Sequence, residues 1–349
     1  MMCMMFGQLS GRESLRDLLL TIDAHSSKYY HLGLGKNVSR SNLARANELR
    51  DCQIYETFAY ELIAMARRCI IKEPEFNLDV PGNVYAFDST TIDLCLNVFW
   101  WATFRTTKAA IKIHTLLDVK TAIPAFVHIT EGSTHDVKAL DVLTYESGGF
   151  YIMDKAYVDF RRLFKIEESK AYFVTRPKDN LTYTRVCSAK PEKSIGIISD
   201  QTIKLKGKKT FNGYPKQIRR IRYYDTEQQR TFVFITNNFE QAAIDIAKLY
   251  QYRWKVELFF KWIKQHLKIK SFWGTSINAV KTQVYIAIIT YTLVAIIKSE
   301  LKITRSTYEI LQILSVSLFD KTHLYDLLKS PIYQDVKEQK CEQLKMNLI

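Results

Sequence analysis

Three carboxylates stand out by context. Asp88 closes the hydrophobic run "VYAFD" and precedes Ser-Thr-Thr; Asp154 closes a second run, "FYIMD", and precedes Lys-Ala-Tyr. Ligands in α/β sheets bind at strand ends, which is where both aspartates fall, although turn initiation and helix capping are ordinary uses of the same residue. The third acid, Glu257, lies in "LYQYRWKVELFFKWIKQHLK" (249–268). Read as one helix, this segment puts Tyr250, Arg253, Glu257, Lys261, Lys264 and Lys268 in a stripe of roughly 80°. Tyr252, Val256, Phe259, Ile263 and Leu267 face the core opposite them. A lone acid among cations is commonly a surface ion-pair ladder. Beside two strand-end aspartates, however, a third carboxylate completes an all-oxygen site for two Mg²⁺, which stabilises the attacking and leaving oxygens of phosphodiester displacement. Arg253 and Lys264 then flank the acid as phosphate contacts, Arg as a bidentate fork and Lys as a point charge.

Two rival chemistries fail on spacing. A dehalogenase-type phosphatase wants a second Asp two residues after the first, where this chain has Thr90. A zinc hydrolase wants histidines at ligand spacing, and His114, His128 and His135 form no HxxxH or HExxH pattern.

Composition narrows the partner. Lys and Arg outnumber Asp and Glu by 50 to 36 over 349 residues, a net +14, with 47% hydrophobic residues. A packed globular chain with that excess favours a polyanion, nucleic acid before an anionic membrane surface, over a merely basic enzyme. The six cysteines include no CxxC pair and read as reduced thiols. The start "MMCMMFGQLSGRESLRDLLL" has no basic segment leading an apolar one, and "VYIAIITYTLVAII" (284–297) is shorter than the ~20 residues of a bilayer span. A cytoplasmic protein with a buried core helix is expected.

The elements that must position these acids follow from periodicity. Residues 1–75 read as helical, with "SGRE" (10–13) as a capping box and a glycine break, "HLGLGKN" (31–37), before "SRSNLARANELR". A short basic helix after such a turn can enter DNA or simply be a solvated face. "VYAFDST", "IDLCLNVF", "AAIKIHTLLDV", "IPAFVHIT" and "FYIMDKAY" read as strands, with residues 141–147 and "VDFRRLFKIEES" (158–169) as connecting helices. Strands return at "KAYFVTRP", "IISDQTIKL", "KQIRRIRYYD" and "RTFVFITNN". Helices then run to about residue 330. Residues 201–230 hold nine Lys or Arg against two acids, which reads as a phosphate track or a solvated hairpin face.

The spacing Tyr250-(2)-Arg253-(3)-Glu257-(6)-Lys264 resembles the Tyr-Arg-Glu-Lys signature of bacterial insertion-sequence DDE transposases of family four. The family's first motif resembles "FDST" at Asp88 and its second resembles "DKAY" at Asp154, with Lys155 and Ala156 where Arg and Gly are frequent. The similarity covers about 80–300, and "FGQLSGRESLRDL" resembles the start of one subgroup. The resemblance implies an α/β, RNase H-like mixed-sheet core at 80–175 and 236–300, with a β-rich insertion at 176–235. A helical DNA-binding region at 1–75 and a helical C-terminal region at 301–349 complete it.

It further implies metal-dependent cleavage at transposon ends and transfer of the freed 3′-OH to target DNA, with a hairpin intermediate common. Asp88, Asp154 and Glu257 would hold two Mg²⁺, with Mn²⁺ as a substitute. The implied partners are double-stranded DNA and a second copy of the chain at synapsis. Tyr250, Arg253 and Lys264 would position phosphates, with Lys261, Arg219, Arg220 and Arg222 as further DNA contacts. Trp254 and Trp273 are candidates to stack an unpaired base, although burial is the commoner use of each. Relatives carry residues before a segment like "MMFGQLS", so a shortened N-terminus is expected. A non-catalytic end-binding relic and a nuclease without strand transfer stand as alternatives.

Overall fold

The structure is a computed structural model that describes residues 1–28, 33, 38–70, 76–105, 108–267, 269 and 271–329. Most of the glycine break at 31–37, Lys268 of the cationic stripe and the chain beyond 329 lie outside the described residues.

The fold is mixed α/β, built on one ten-stranded sheet. β1 (Val84–Leu94) is central, and its first four residues are buried on both faces, as a strand covered on both sides requires. It pairs antiparallel with β3 (Lys108–Asp118), which pairs antiparallel with β4 (Ile123–Glu131) and carries the short β2 (Thr103–Arg105). On its other side β1 runs parallel to β5 (Phe150–Met153), and β5 parallel to β6 (Tyr172–Thr175). The second strand block continues the same sheet as an antiparallel meander, β7 (Tyr183–Ala189), β8 (Ile197–Leu205), β9 (Ile218–Asp225) and β10 (Arg230–Thr236). Its ladder to β6 pairs Ile235 with Thr175 and Thr236 with Val174.

Helices α1 (Met2–Leu9), α2 (Leu15–Ala24), α3 (Arg40–Leu49) and α4 (Gln53–Cys69) contribute to one apolar core. That core also takes residues of α7 (Ala243–Gln251), α8 (Trp254–His266) and α9 (Ile277–Glu300). Between these groups, α5 (Phe160–Glu168) supplies Leu163 and Ile166 to a second core on the opposite sheet face, beside which α6 (Lys208–Gly213) lies. α10 (Thr307–Ser317) and α11 (Leu324–Leu328) close a third cluster. α9 is long and apolar enough by length and composition to cross a membrane, but here it lies against α1, α3, α4 and α10 with most of its side chains buried.

Several local expectations are corrected. The expected capping box at Ser10 is instead a helix ending. Gly11 sits at φ 66°, its N–H bonds Gln8 and that of Arg12 bonds Gly7, which is a Schellman close; Ser14 caps α2 by accepting from the Asp17 N–H. "IDLCLNVF" is not a separate strand, because its first three residues finish β1 and Cys95–Phe99 turns. Residues 141–147 form no helix, only the end of a 3₁₀ turn (Asp136–Asp141) and an irregular segment held by Tyr145 and Tyr151 hydroxyls. β7 was not expected: six of its seven residues are exposed, so no apolar alternation marks it.

The helix expected at 249–268 is broken in two. Tyr252, Arg253, Lys255 and Val256 each donate to the carbonyl three residues back instead of four, tightening the chain between α7 and α8. The two halves pack on different strands, α7 on β5, β6, β8 and β9, and α8 on β1 and β3. No Gly or Pro marks the break.

Candidate active site

Register brings the first two acids together. Phe87 of β1 pairs with Met153 of β5, so Asp88 and Asp154 are the next residues on adjacent parallel strands. Ala86 of β1 and Ile152 of β5 point into the core shared with α8, and alternation puts both aspartates on that face. The sequence expectation placed Asp88 at a strand end. It lies mid-strand, because β1 runs on beyond β5 while still paired with β3. Asp154 does end its strand, just before a 3₁₀ turn at Lys155–Tyr157 that its side chain does not cap.

The α7–α8 junction supplies the rest. Tyr250, at the end of α7, donates its hydroxyl to Asp154 Oδ1 at 3.3 Å. Arg253 Nη1 lies 3.1 Å from Asp88 Oδ2 and 2.7 Å from Glu257 Oε1, so one nitrogen bridges two acids from different elements. Lys264 donates to the Thr91 carbonyl at 2.8 Å, fastening α8 to the far half of β1. The Tyr, Arg and Lys expected to hold phosphates thus hold the acids and their strand in this state.

Burial dominates the electrostatics of the cluster. Burial, with Glu257 and Asp154 adding to it, pushes the Asp88 carboxyl up to about 6, against the opposing pull of the Ser89 N–H and Arg253. Burial also pushes the Tyr250 phenol up to about 12, keeping it a donor to Asp154. Among the described residues, no three His, Cys, Asp or Glu side chains converge tightly enough to cage one ion. The donor chemistry nonetheless fits hard divalent cations, since all three groups are carboxylates and the shared Asp88 sits between an Asp and a Glu. Arg253 now stands in the gap between Asp88 and Glu257.

On the opposite sheet face, His114 pairs in register with Ser89, and burial depresses its imidazole to about 4. Its Nε2 meets Thr130 Oγ1 at 3.0 Å, which reads as a core histidine and not a ligand.

The outer candidates divide. Lys261 is exposed, and Trp254, 57% exposed, lines a groove of about 530 Å³ with Leu258 and Asn77. Trp273 is buried against Gly7, where a Cβ would meet its ring at 2.5 Å. Arg222 is exposed, and Arg220 stacks over the Tyr183 ring at 5.1 Å. Arg219 corrects its assignment as a DNA contact. It is 8% exposed, forks onto Asp200 at 2.9 and 2.6 Å, and donates to the Gln241 carbonyl at 2.6 Å. Alternation along β9 sends it under α7 while Arg220 and Arg222 point the other way.

Sequence reasoning missed two cations, Arg176 and Lys178, and did not bring Arg230 of the 201–230 track to the acids. Arg176 and Lys178 join Lys155, Arg220 and Arg230 around a hollow of about 300 Å³. Arg176 reaches to within 4.0 Å of Asp154, so this hollow opens beside the acids. The signal was "TRPKD", directly after β6, which reads as a strand end unless β6 is known to neighbour β5.

Comparison with known proteins places the chain in a family. Residues 80–293 match the transposase DDE domain, a span containing all three acids, and residues 1–35 match a domain of unknown function, DUF4372. A Sinorhizobium fredii chain named as a transposase is 33% identical over 248 residues, covering 70% of this chain and 69% of its own. A Geobacillus stearothermophilus chain named for insertion sequence element IS5377 is 32% identical over 222 residues, covering 62% and 57%. Among solved structures, a piggyBac transposase synaptic complex with hairpin DNA superimposes with TM-score 0.47 at 13% identity, over 94% of this chain and 71% of that one. The chain belongs to the transposase DDE domain family and is a DNA transposase, an enzyme that acts on DNA.

Proposed function

We propose that this transposase belongs to the insertion-sequence branch of family four and cleaves transposon ends and joins the freed 3′-OH to target DNA at a site formed by Asp88, Asp154 and Glu257. The observation that carries this is the register Phe87↔Met153, which seats Asp88 beside Asp154 under the helix bearing Glu257. The strand order β4-β3-β1-β5-β6, antiparallel then parallel, supports an RNase H-like core, with β7–β10 as the insertion between the second Asp and the Glu. The described helices before β1 and after α9 leave 1–75 and 301–349 as flanking regions in this reading.

Asp88, Asp154 and Glu257 would hold the divalent ions on which the family depends, taken here as two Mg²⁺ with Mn²⁺ as a substitute. When bound, such ions act as Lewis acids toward the attacked phosphodiester and its leaving oxygen. The chain's own residues do the remainder. Tyr250 orients Asp154 through its hydroxyl, and Lys264 fixes α8 on β1 so that Glu257 faces Asp88. The hollow lined by Lys155, Arg176, Lys178, Arg220 and Arg230 lies where DNA approaching Asp154 would meet it, and the exposed Lys261, Arg222 and Trp254 are further DNA contacts in this reading. Two ends must be brought together for joining, which makes a homodimer the assembly proposed at synapsis.

The test is to incubate the chain with Mg²⁺, target plasmid and duplexes carrying the terminal repeats that flank its gene. Products in which the 3′ strand of the repeat is covalently joined to plasmid are expected. Cleavage without joined products would reduce the function to a nuclease, and binding without either would leave an end-binding protein.

A further inference from the structure

Arg253 occupies an unusual place for a residue expected to grip DNA. It sits on the tightened turn between α7 and α8, half-buried, with its ring-side neighbour Tyr250 at 5.9 Å. A single nitrogen, Nη1, serves both Asp88 and Glu257. Its Nε is buried with no hydrogen-bond partner, so the fork that suits arginine to a carboxylate or phosphate is only partly used. A group held by two acids yet incompletely satisfied, on a junction whose backbone bonds already depart from the α-helical pattern, is well placed to change partners.

A Mg²⁺ ion held by the same pair would need their oxygens at about 2.0–2.1 Å. Nη1 now lies 3.1 and 2.7 Å from those oxygens, and the guanidinium and the ion cannot share the gap. A DNA phosphate offers the guanidinium two oxygens in the geometry it lacks here. We propose that Arg253 is an internal counter-ion that blocks the Asp88–Glu257 gap in the DNA-free enzyme, and that a DNA phosphate must draw it out before a divalent cation enters. This rests on the reading of Asp88 and Glu257 as metal ligands. Metal and DNA then bind with positive coupling, each raising affinity for the other by the same factor. The free enzyme stays poorly loaded, so cleavage chemistry is confined to DNA-bound protein.

The test reads Mn²⁺ affinity by titration calorimetry on the full DNA-free chain, without any activity measurement. Arg253→Gln is expected to bind Mn²⁺ about tenfold or more tightly than the wild type, the range of ordinary coupling. Lys248→Gln removes one exposed charge from α7 without opening the gap and is expected to change affinity by less than about twofold, since exposed charges are screened. Arg253→Lys retains a cation able to sit between the acids and is expected to stay near the wild type. A short random-sequence duplex should tighten Mn²⁺ binding by the wild type and not by Arg253→Gln. Equal or weaker Mn²⁺ binding by Arg253→Gln, with binding lost in Glu257→Gln, overturns the blocking role and leaves the metal site standing. Absence of Mn²⁺ binding in every protein, with or without duplex, overturns the metal site itself.

Discussion

Glu257→Gln is expected to lower strand cleavage at transposon ends by about a thousand-fold or more while leaving end binding intact. The substitution keeps size and hydrogen bonding but removes the charge that completes the site. Loss of a ligand that positions a Lewis acid forfeits several kcal/mol of transition-state stabilisation, and ~4 kcal/mol corresponds to about three orders of magnitude. Binding should survive, because Glu257 pairs with Arg253 at 2.7 Å and its neutralisation frees that guanidinium for phosphate. Asp88→Asn and Asp154→Asn should behave alike. Single-turnover cleavage beside a mobility-shift titration separates the two quantities; cleavage at the wild-type rate would remove Glu257 from the chemistry.

The second large effect concerns stability. Arg219→Ala is expected to destabilise the fold by about 3–5 kcal/mol, the range for removing one partner of a buried ion pair. It would strand Asp200, whose carboxylate accepts both arms of the fork, and leave the Gln241 carbonyl without its donor. Against a typical total stability of about 5–15 kcal/mol that is a large fraction. Arg222→Ala, on the exposed face of the same strand, should change stability by no more than about 0.5 kcal/mol. Urea unfolding of both variants decides the matter. An Arg219→Ala protein of wild-type stability, with a shallower salt dependence of DNA binding, would return Arg219 to the phosphate contacts.

Arg219 also illustrates how far the sequence could be read. "KQIRRIRYYD" announces a strand, and its charge announces a polyanion, but which arginines face outward depends on what covers each sheet face. That is set by α7, far along the chain. The three acids were legible because each sits against a strong local signal: two hydrophobic strands and a helix with an apolar row. Their convergence was not, since it rests on β1 and β5 pairing in parallel with Phe87 opposite Met153. The break after Tyr250 was invisible for a related reason. The segment carries no helix breaker, and only packing of its halves on different strands divides it. Short elements such as β7 escaped because an exposed edge strand needs no apolar alternation. The cations beside Asp154 escaped because Arg176 and Lys178 read as loop residues until β6 is placed next to β5.

The most direct measurement is cleavage of the polypeptide by radicals generated at the metal site. Fe²⁺ is loaded on the DNA-bound protein in place of Mg²⁺, ascorbate and peroxide are added, and the fragments are mapped by mass spectrometry. Backbone cuts clustered near Asp88, Asp154 and Glu257, all suppressed by excess Mg²⁺, are the expected result. Cuts elsewhere, or at one of these segments without the other two, would contradict a single site built from all three acids.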